Sequence, residues 1–532
     1  MAHVVLTPPG GGTPKNASGP FQGWGTSLAW FAHATGKDAA LRELICTELF
    51  DPKKLGLNIV RYNIGGTAKD PHDAHRFRTG GAVPCCSDPE GGYDGALDEA
   101  QTSYLLRARE LISPETFISE AFCNSPPYFL VRSGTSRGNT KPFRNNLAKE
   151  EVPKFVDTMF RALAHFKSQH NLVFDSLSPF NEPGSPAWVE PIAVQECCYF
   201  SHGRMNDVLK ALYERREELG TTIVAAHEQF SVADGARDAR RTGKKLWPAI
   251  GRVNVHTYDS SEFIDKAPWF VTKTQDNRFQ RAALRSAAAK AGRDLWVSEY
   301  GTGKGAAGLA AHMVRDLSTL LPTAWIYWQA VEEPGSTWGL VQAPLKDDCA
   351  CDGAAAAPEA APKAQAGPKS VSRTPQYHVM KRIMAAVPLG SRLFAVPALK
   401  RRGVGVWLGP NKAAFILVHP AREARPLIVK LDASLLREGG AFAAAEAAGG
   451  GAAAAAPGEE APGGALAEAR TKIKGVARMT DLVALDAAGK EAGAAGVEGF
   501  EEQLREFDMD DEGADTLQVS PGFMCIVELA SA

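Results

Sequence analysis

Two glutamates stand where apolar runs of this chain stop. A strand-like run, Val173 to Phe180, ends in Asn181-Glu182-Pro183, and a second run, Leu295 to Ser298, delivers Glu299 and is halted at Gly301. Proline cannot donate to a strand ladder and keeps the residue before it out of the helical region. Glu182 is therefore expected at the carboxyl end of a strand, and Glu299 at the end of another. Two carboxyls so placed can share one reaction, one holding a proton and the other ionised. Cleavage of a glycosidic bond uses such a pair, and its retaining form needs the two carboxyls about 5–5.5 Å apart. At that distance mutual repulsion raises the pKa of one of them. We assign the proton to Glu182, as general acid and then base, and the attack on the anomeric carbon to Glu299.

The needs of this pair pick out further residues. Asn181, beside Glu182, is suited to hydrogen-bond a sugar 2-hydroxyl, a contact that strengthens in the transition state. Arg61 lies in an otherwise apolar run, where a cation would keep Glu299 ionised. Tyr258 is placed to donate its hydroxyl to the nucleophile. His256, two residues earlier, shares its face if the strand alternates, and reads either as a site residue or as a core histidine. Asn63 shares the face of Arg61 by the same period, and reads as a sugar contact or as the start of a loop. His227 and Glu228 read equally as a subsite or a solvated rim. Trp328 is the expected stacking platform for a sugar face, with Trp24, Trp30 and Trp338 as further aromatics of that kind; core packing is the alternative for any tryptophan. The histidines are scattered and no HExxH occurs, so no metal is expected. No cofactor is expected either, because two carboxylates suffice.

Strands and helices must alternate to place these residues. Strands are read at Phe21–Trp30, Leu57–Ile64, Phe117–Phe122, Val173–Phe180, Thr222–His227, Arg252–Tyr258, Leu295–Tyr300 and Ala324–Trp328. Helices are read at Asp38–Phe50, Asp98–Ile112, Met205–Leu219, Gln280–Ala291 and Leu309–Leu321. The clearest holds Val152, Phe155, Val156, Met159, Phe160, Leu163 and Phe166 at helical spacing. Strands alternating with helices imply parallel sheet, and eight such units imply a (β/α)8 barrel whose sites lie at the strands' carboxyl ends. A doubly wound sheet lacks support, because no GxGxxG follows the first strand.

At 532 residues the chain is long enough for a large barrel and a smaller domain. We read residues 21–345 as the barrel, 346–376 as an Ala/Pro/Lys-rich linker and 377–532 as a β-sandwich. An Ala/Gly-rich insertion falls at about 440–470, and the N-terminal segment 1–20 adds a strand to the sandwich. A net charge of -2 gives no argument for nucleic acid or an anionic membrane, and no apolar run approaches membrane-spanning length. The nine cysteines follow no CxxC…CxxC zinc pattern. They read equally as disulfide partners or buried thiols. Met1–Gly12 lacks the apolar core of a secretory signal.

Seven segments, taken in order, carry a family resemblance: FQGWGTSLAWFA, LGLNIVRYNIGG, FCNSPPYFLVRSG, LSPFNEP, VNVHTY, LWVSEYG and AWIYWQA. With them the chain resembles glycoside hydrolase family 30, in particular its endo-β-1,6-galactanase-like branch. The resemblance implies a (β/α)8 barrel with an attached β-sandwich and a retaining mechanism. It matches Glu182 to the family's acid/base, Glu299 to its nucleophile and Asn181 to its 2-hydroxyl contact. It also implies a carbohydrate substrate, the β-1,6-linked galactan of arabinogalactan side chains. We expect a monomer, secreted or in the secretory pathway with its signal absent from this sequence. A cytoplasmic chain, the same chemistry on β-1,6-glucan, xylan or a glucosylceramide, and a non-catalytic sugar-binding barrel are the alternatives.

Overall fold

A computed structural model describes residues 2–345 and 370–531, apart from several stretches of which 259–277, 433–472 and 493–502 are the longest. Eight parallel strands close into a barrel. They are β1 (Gly23–Ser27), β2 (Ile59–Asn63), β3 (Ile118–Phe122), β4 (Ser176–Ser178), β5 (Ile223–Gln229), β6 (Arg252–His256), β7 (Asp294–Tyr300) and β8 (Ala324–Gln329). Each falls within or beside a run read from the sequence. The strand before Glu182 is shorter than expected, because Pro179 withdraws a donor from the ladder.

The helices follow their patterns closely. Val152–His170 buries Val152, Phe155, Val156, Met159, Phe160 and Phe166 and stops at Asn171, whose left-handed backbone caps the last turn. Ala39–Phe50 begins at Asp38, whose side chain accepts from the Leu41 amide. The helix Gly305–Thr319 carries Asp316, which is fully buried and bound by three elements. It accepts from Arg281 Nη1 at 2.6 Å, Thr257 Oγ1 at 2.8 Å and Trp325 Nε1 at 3.0 Å. Burial acts to raise its pKa, but His312 and Arg281 hold the carboxyl well below the usual range. This anchor fixes the chain between His256 and Tyr258, and so the end of β6.

Beyond the barrel, a six-stranded sheet runs Arg392–Ala395, Gly403–Gly409, Lys412–Val418, Phe523–Ser531, Ile473–Asp481, Gln503–Met509 in spatial order. A three-stranded sheet joins Ala2–Leu6, Leu427–Asp432 and Ala514–Val519. Side chains of both meet in one core, Phe415, Cys525 and Val527 from the larger sheet with Leu427, Leu517 and Val519 from the smaller. The other face of the larger sheet, with Val404, Ile416 and Ile526, joins the barrel's own core. Ala2–Leu6 pairs in parallel with Leu427–Leu431, adding the expected N-terminal strand. Among the described residues, three helices of ten residues or more went unread in the sequence: Val232–Arg241 in the barrel, and Pro375–Ala386 and Leu482–Ala492 in or beside the part expected to be β-sandwich. The linker read at 346–376 and the insertion at about 440–470 lie largely or wholly outside the described residues. The seven described cysteines are buried free thiols, and Cys349 and Cys351 lie outside the description. No helix among the described residues is long and apolar enough to cross a membrane.

Candidate active site

Inside the barrel, toward the strands' carboxyl ends, the apolar core gives way to buried charge. Register sets Arg61 on β2 directly beside Glu120 on β3, and Arg61 Nε donates to Glu120 Oε1 at 2.7 Å. Glu120 also takes Ser176 Oγ at 2.9 Å, Asn254 Nδ2 at 3.1 Å and the guanidinium of Arg252. The Arg252 guanidinium lies 3.3 Å over the Trp296 ring. Above this tier sits Glu228, at the end of β5 and fully buried. One of its oxygens accepts from Asn254 Nδ2 at 2.6 Å, Ser178 Oγ at 3.0 Å and Arg61 Nη2 at 3.1 Å. The other accepts from Ser298 Oγ at 2.7 Å and faces His256 Nε2 at 2.9 Å. Burial acts to raise the pKa of Glu228, but Arg61, His256 and Ser298 hold it well below the usual carboxylate range.

The top tier holds the pair read from the sequence. Glu182 and Glu299 are 6% and 4% exposed. A carboxylate oxygen of each and a ring nitrogen of His256 all lie within 4.8 Å of one another. Glu182 takes a left-handed backbone, φ 46°, as does Glu228 at φ 60°. The Glu182 amide donates to the Glu228 carbonyl at 2.8 Å. Such conformations are costly for residues bearing a Cβ and persist where the surroundings over-determine them. Glu299 receives Tyr258 Oη at 3.3 Å on Oε1 and Arg61 Nη1 at 3.4 Å on Oε2. His256 Nδ1 lies 3.0 Å from Glu182 Oε1 and 3.4 Å from Glu299 Oε1.

Both nitrogens of His256 thus face carboxylate oxygens. Burial opposes the charged ring, yet Glu299, Glu182 and Glu228 lift its pKa to about 10, so it is an imidazolium at neutral pH. Burial also pushes the Glu299 carboxyl up to about 7; His256 and Arg61 oppose that rise, and Glu182 and Glu228 add to it. The network sets the carboxyls of Glu120, Glu182, Glu228 and Glu299 against the cations Arg61, Arg252 and His256. One proton makes it neutral. Of these carboxyls, Arg61, His256 and Ser298 hold Glu228 low while burial lifts Glu299. The sequence placed the proton on Glu182 alone. Burial here lifts Glu299, an oxygen of which lies within 4.8 Å of one from Glu182.

The structure distributes the remaining sequence-read residues unevenly. Asn181 is buried beside Glu182 with its Oδ1 unpartnered among the described residues. Trp328 is 7% exposed at the end of β8, edge-on to Trp30 with ring centroids 5.4 Å apart. Trp24 and Trp30 are corrections. Trp24 packs on Phe21 and Trp325 and donates to the Val387 carbonyl, and Trp30 is fully buried behind Trp328. Neither offers a ring face to a sugar. Asn63 is a correction of another kind. Its Nδ2 donates to Glu196 at 2.7 Å and its Oδ1 accepts from the Asn124 amide, so it ties loops together. Trp338 is half-buried. His227 is a core residue bound to Thr242, and burial lowers its pKa to about 4. Glu228 had been read as a rim residue as readily as a site residue, and Glu120 was not singled out. The one available signal was a lone charge in each apolar strand, as at Arg61.

A family model described as O-Glycosyl hydrolase family 30 matches residues 21–321, which hold β1 to β7 and both glutamates. The chain belongs to this family. It is therefore a glycosyl hydrolase, and its substrate is carbohydrate. The family 30 chain is 26% identical to an endo-β-1,6-galactanase of Hypocrea rufa over 353 residues, covering 62% of this chain and 68% of the relative. It is also 26% identical over 420 residues to an exo-β-1,6-galactobiohydrolase of Bifidobacterium longum subsp. longum, covering 59% of this chain but 26% of that longer protein. Among solved structures, the catalytic domain of a family 30 xylanase C from Talaromyces cellulolyticus superposes with a TM-score of 0.61 at 11% identity, covering 99% of this chain and 100% of that one. At that identity the likeness speaks for the fold alone.

Proposed function

We propose that this family 30 hydrolase cleaves β-1,6-linked galactan by double displacement, with Glu299 as nucleophile and Glu182 as acid and then base. The observation that carries this reading is the approach of the two carboxylates to within 4.8 Å at one end of the barrel. An inverting enzyme needs a wider gap, about 6.5–9.5 Å, to fit its water. In the first step Glu299 attacks the anomeric carbon while Glu182 protonates the departing glycosidic oxygen. In the second, Glu182 takes a proton from water, which displaces Glu299 from the sugar. Arg61 and Tyr258 receive the negative charge that returns to Glu299. His256 links both carboxylates to Glu228 and fixes their spacing. Asn181 offers the sugar 2-hydroxyl a carbonyl oxygen that is unpartnered among the described residues.

The galactan assignment is supported by the names of the two curated relatives, both of which act on β-1,6-galactosyl linkages. It is tested by incubating the protein separately with de-arabinosylated arabinogalactan, β-1,6-glucan and xylan and sizing the products. Galacto-oligosaccharides from the first substrate alone are expected. Release from glucan or xylan at a comparable rate would replace the galactan reading with another β-glycan.

A further inference from the structure

We propose that Asn124 is a second sugar-binding amide of this cleft, and that it holds the 3,4-diol of the galactose bound at the cleavage site. The inference rests on the galactanase reading and names what in the site would recognise galactose.

Asn124 is 1% exposed, and neither its Nδ2 nor its Oδ1 has a hydrogen-bond partner among the described residues. A buried carboxamide with both ends unsatisfied is costly. Buried side chains of that kind call for an explanation, and a ligand is one. The direction of the side chain follows from β3. Along that strand Glu120 and Phe122 point inward, Glu120 to Arg61, and Phe122 beneath the same guanidinium at 4.3 Å and against Trp30 and Trp328. Ala121 and Cys123 point outward into the core shared with the helices. The strand ends at Phe122; pairing runs one residue further, where the Cys123 amide donates to the Ser178 carbonyl at 3.0 Å, and the Asn124 amide then donates to the Asn63 side chain, at Oδ1, at 3.2 Å. The period of two therefore sets Asn124 inward, one step above Phe122. Phe122 pairs with Ser178. Carrying that register on sets Asn124 beside Phe180 and Asn181, on the strand end that bears Glu182.

The chemistry of the substrate supplies the rest. In a β-1,6-linked galactosyl unit, C1 and C6 are in linkages and the hydroxyls at C2, C3 and C4 are free. Asn181 is placed for the 2-hydroxyl, which leaves the vicinal pair at C3 and C4. A carboxamide brings one donor and one acceptor in a plane, and adjacent hydroxyls offer the complement. The axial direction of the hydroxyl at C4 is also what separates galactose from glucose, where it is equatorial. A site built to bond a hydroxyl discriminates strongly against a ligand that lacks it, because the buried group is left unpaired.

The test uses 4-nitrophenyl β-1,6-galactobioside and its analogues deoxygenated at C3 or at C4 of the sugar that bears the nitrophenyl group. Wild type, Asn124→Ala and the isosteric Asn124→Asp are compared by kcat/KM on each, with thermal melting as a check on folding. Asn124→Ala is expected to lose roughly 10- to 100-fold on the parent compound. That penalty should shrink below about threefold on the analogue missing the hydroxyl it holds. Asn124→Asp, which keeps the shape and loses the donor, should show the same pattern in reduced form. An equal penalty on all three substrates, or no penalty on any, would overturn the assignment. If wild type leaves the parent compound intact, the galactanase reading itself fails, and that outcome is distinct from a uniform penalty.

Discussion

Glu299→Ala should lose about four to six orders of magnitude in kcat, the scale on which removal of a covalent nucleophile acts. The loss should be largely reversible from outside. With Glu299 truncated, a cavity opens below the anomeric carbon, beside Arg61 and Tyr258, and both donors remain to hold an anion. Azide entering there attacks C1 as the C1–O bond breaks and the aglycone leaves with the proton of Glu182. The product is an α-galactosyl azide, because attack comes from the face opposite the β-linked leaving group. Mass spectrometry and NMR of the product check this. A folded Glu299→Ala protein that shows no rescue by azide, or that gives the β-azide, would remove the nucleophile from this position.

The second large effect is that of Glu182, and it depends on the leaving group. Glu182→Gln should slow polysaccharide cleavage by about 10²–10⁴-fold, the range of general acid catalysis. It should slow glycosyl-enzyme formation far less on an activated aryl glycoside, whose leaving group needs no proton. The pH profile should change with it. In wild type burial lifts the Glu299 carboxyl to about 7, so activity should fall on the acidic side of that value, and the need for an acid at Glu182 should limit it at high pH. In Glu182→Gln no acid remains to lose, and the alkaline limb should vanish for the aryl substrate. The Glu182 charge also adds to the raised pKa of Glu299. Without it Glu299 ionises at lower pH, and the remaining acidic limb should lie below 7. Equal losses on both substrates, or an alkaline limb that survives, would argue against an acid at Glu182.

Much of this site could be read before any fold was known, for a physical reason. Glu182 and Glu299 interrupt apolar runs, and a charge at the end of a run that must be buried stands out. Arg61 stands out similarly, inside LNIVRYNI. What the chain could not disclose was register. Glu120 reads as one polar residue in an ordinary strand until it is known to lie beside Arg61, and Glu228 reads as rim or subsite alike until the backbone turns it inward. The face of Asn63 was inferred from the period of the strand, but its amide is engaged by Glu196, 133 residues away in sequence. Tryptophans are ambiguous for another reason, since stacking on sugar and packing in a core draw on the same ring. Trp328 sits at the mouth while Trp30 lies behind it, and composition cannot tell them apart. The helices Pro375–Ala386 and Leu482–Ala492 were missed because strand-rich neighbours and an Ala/Gly-rich stretch masked their weaker period.

Proton NMR of the anomeric region, recorded in the first minutes of hydrolysis of a β-1,6-galacto-oligosaccharide, bears most directly on the paired-carboxylate chemistry. The β-anomer of the newly formed reducing end should appear first, with the α-anomer following only at the rate of mutarotation. An α-anomer that appears first would mean that water attacks C1 directly, and that Glu299 is not the nucleophile.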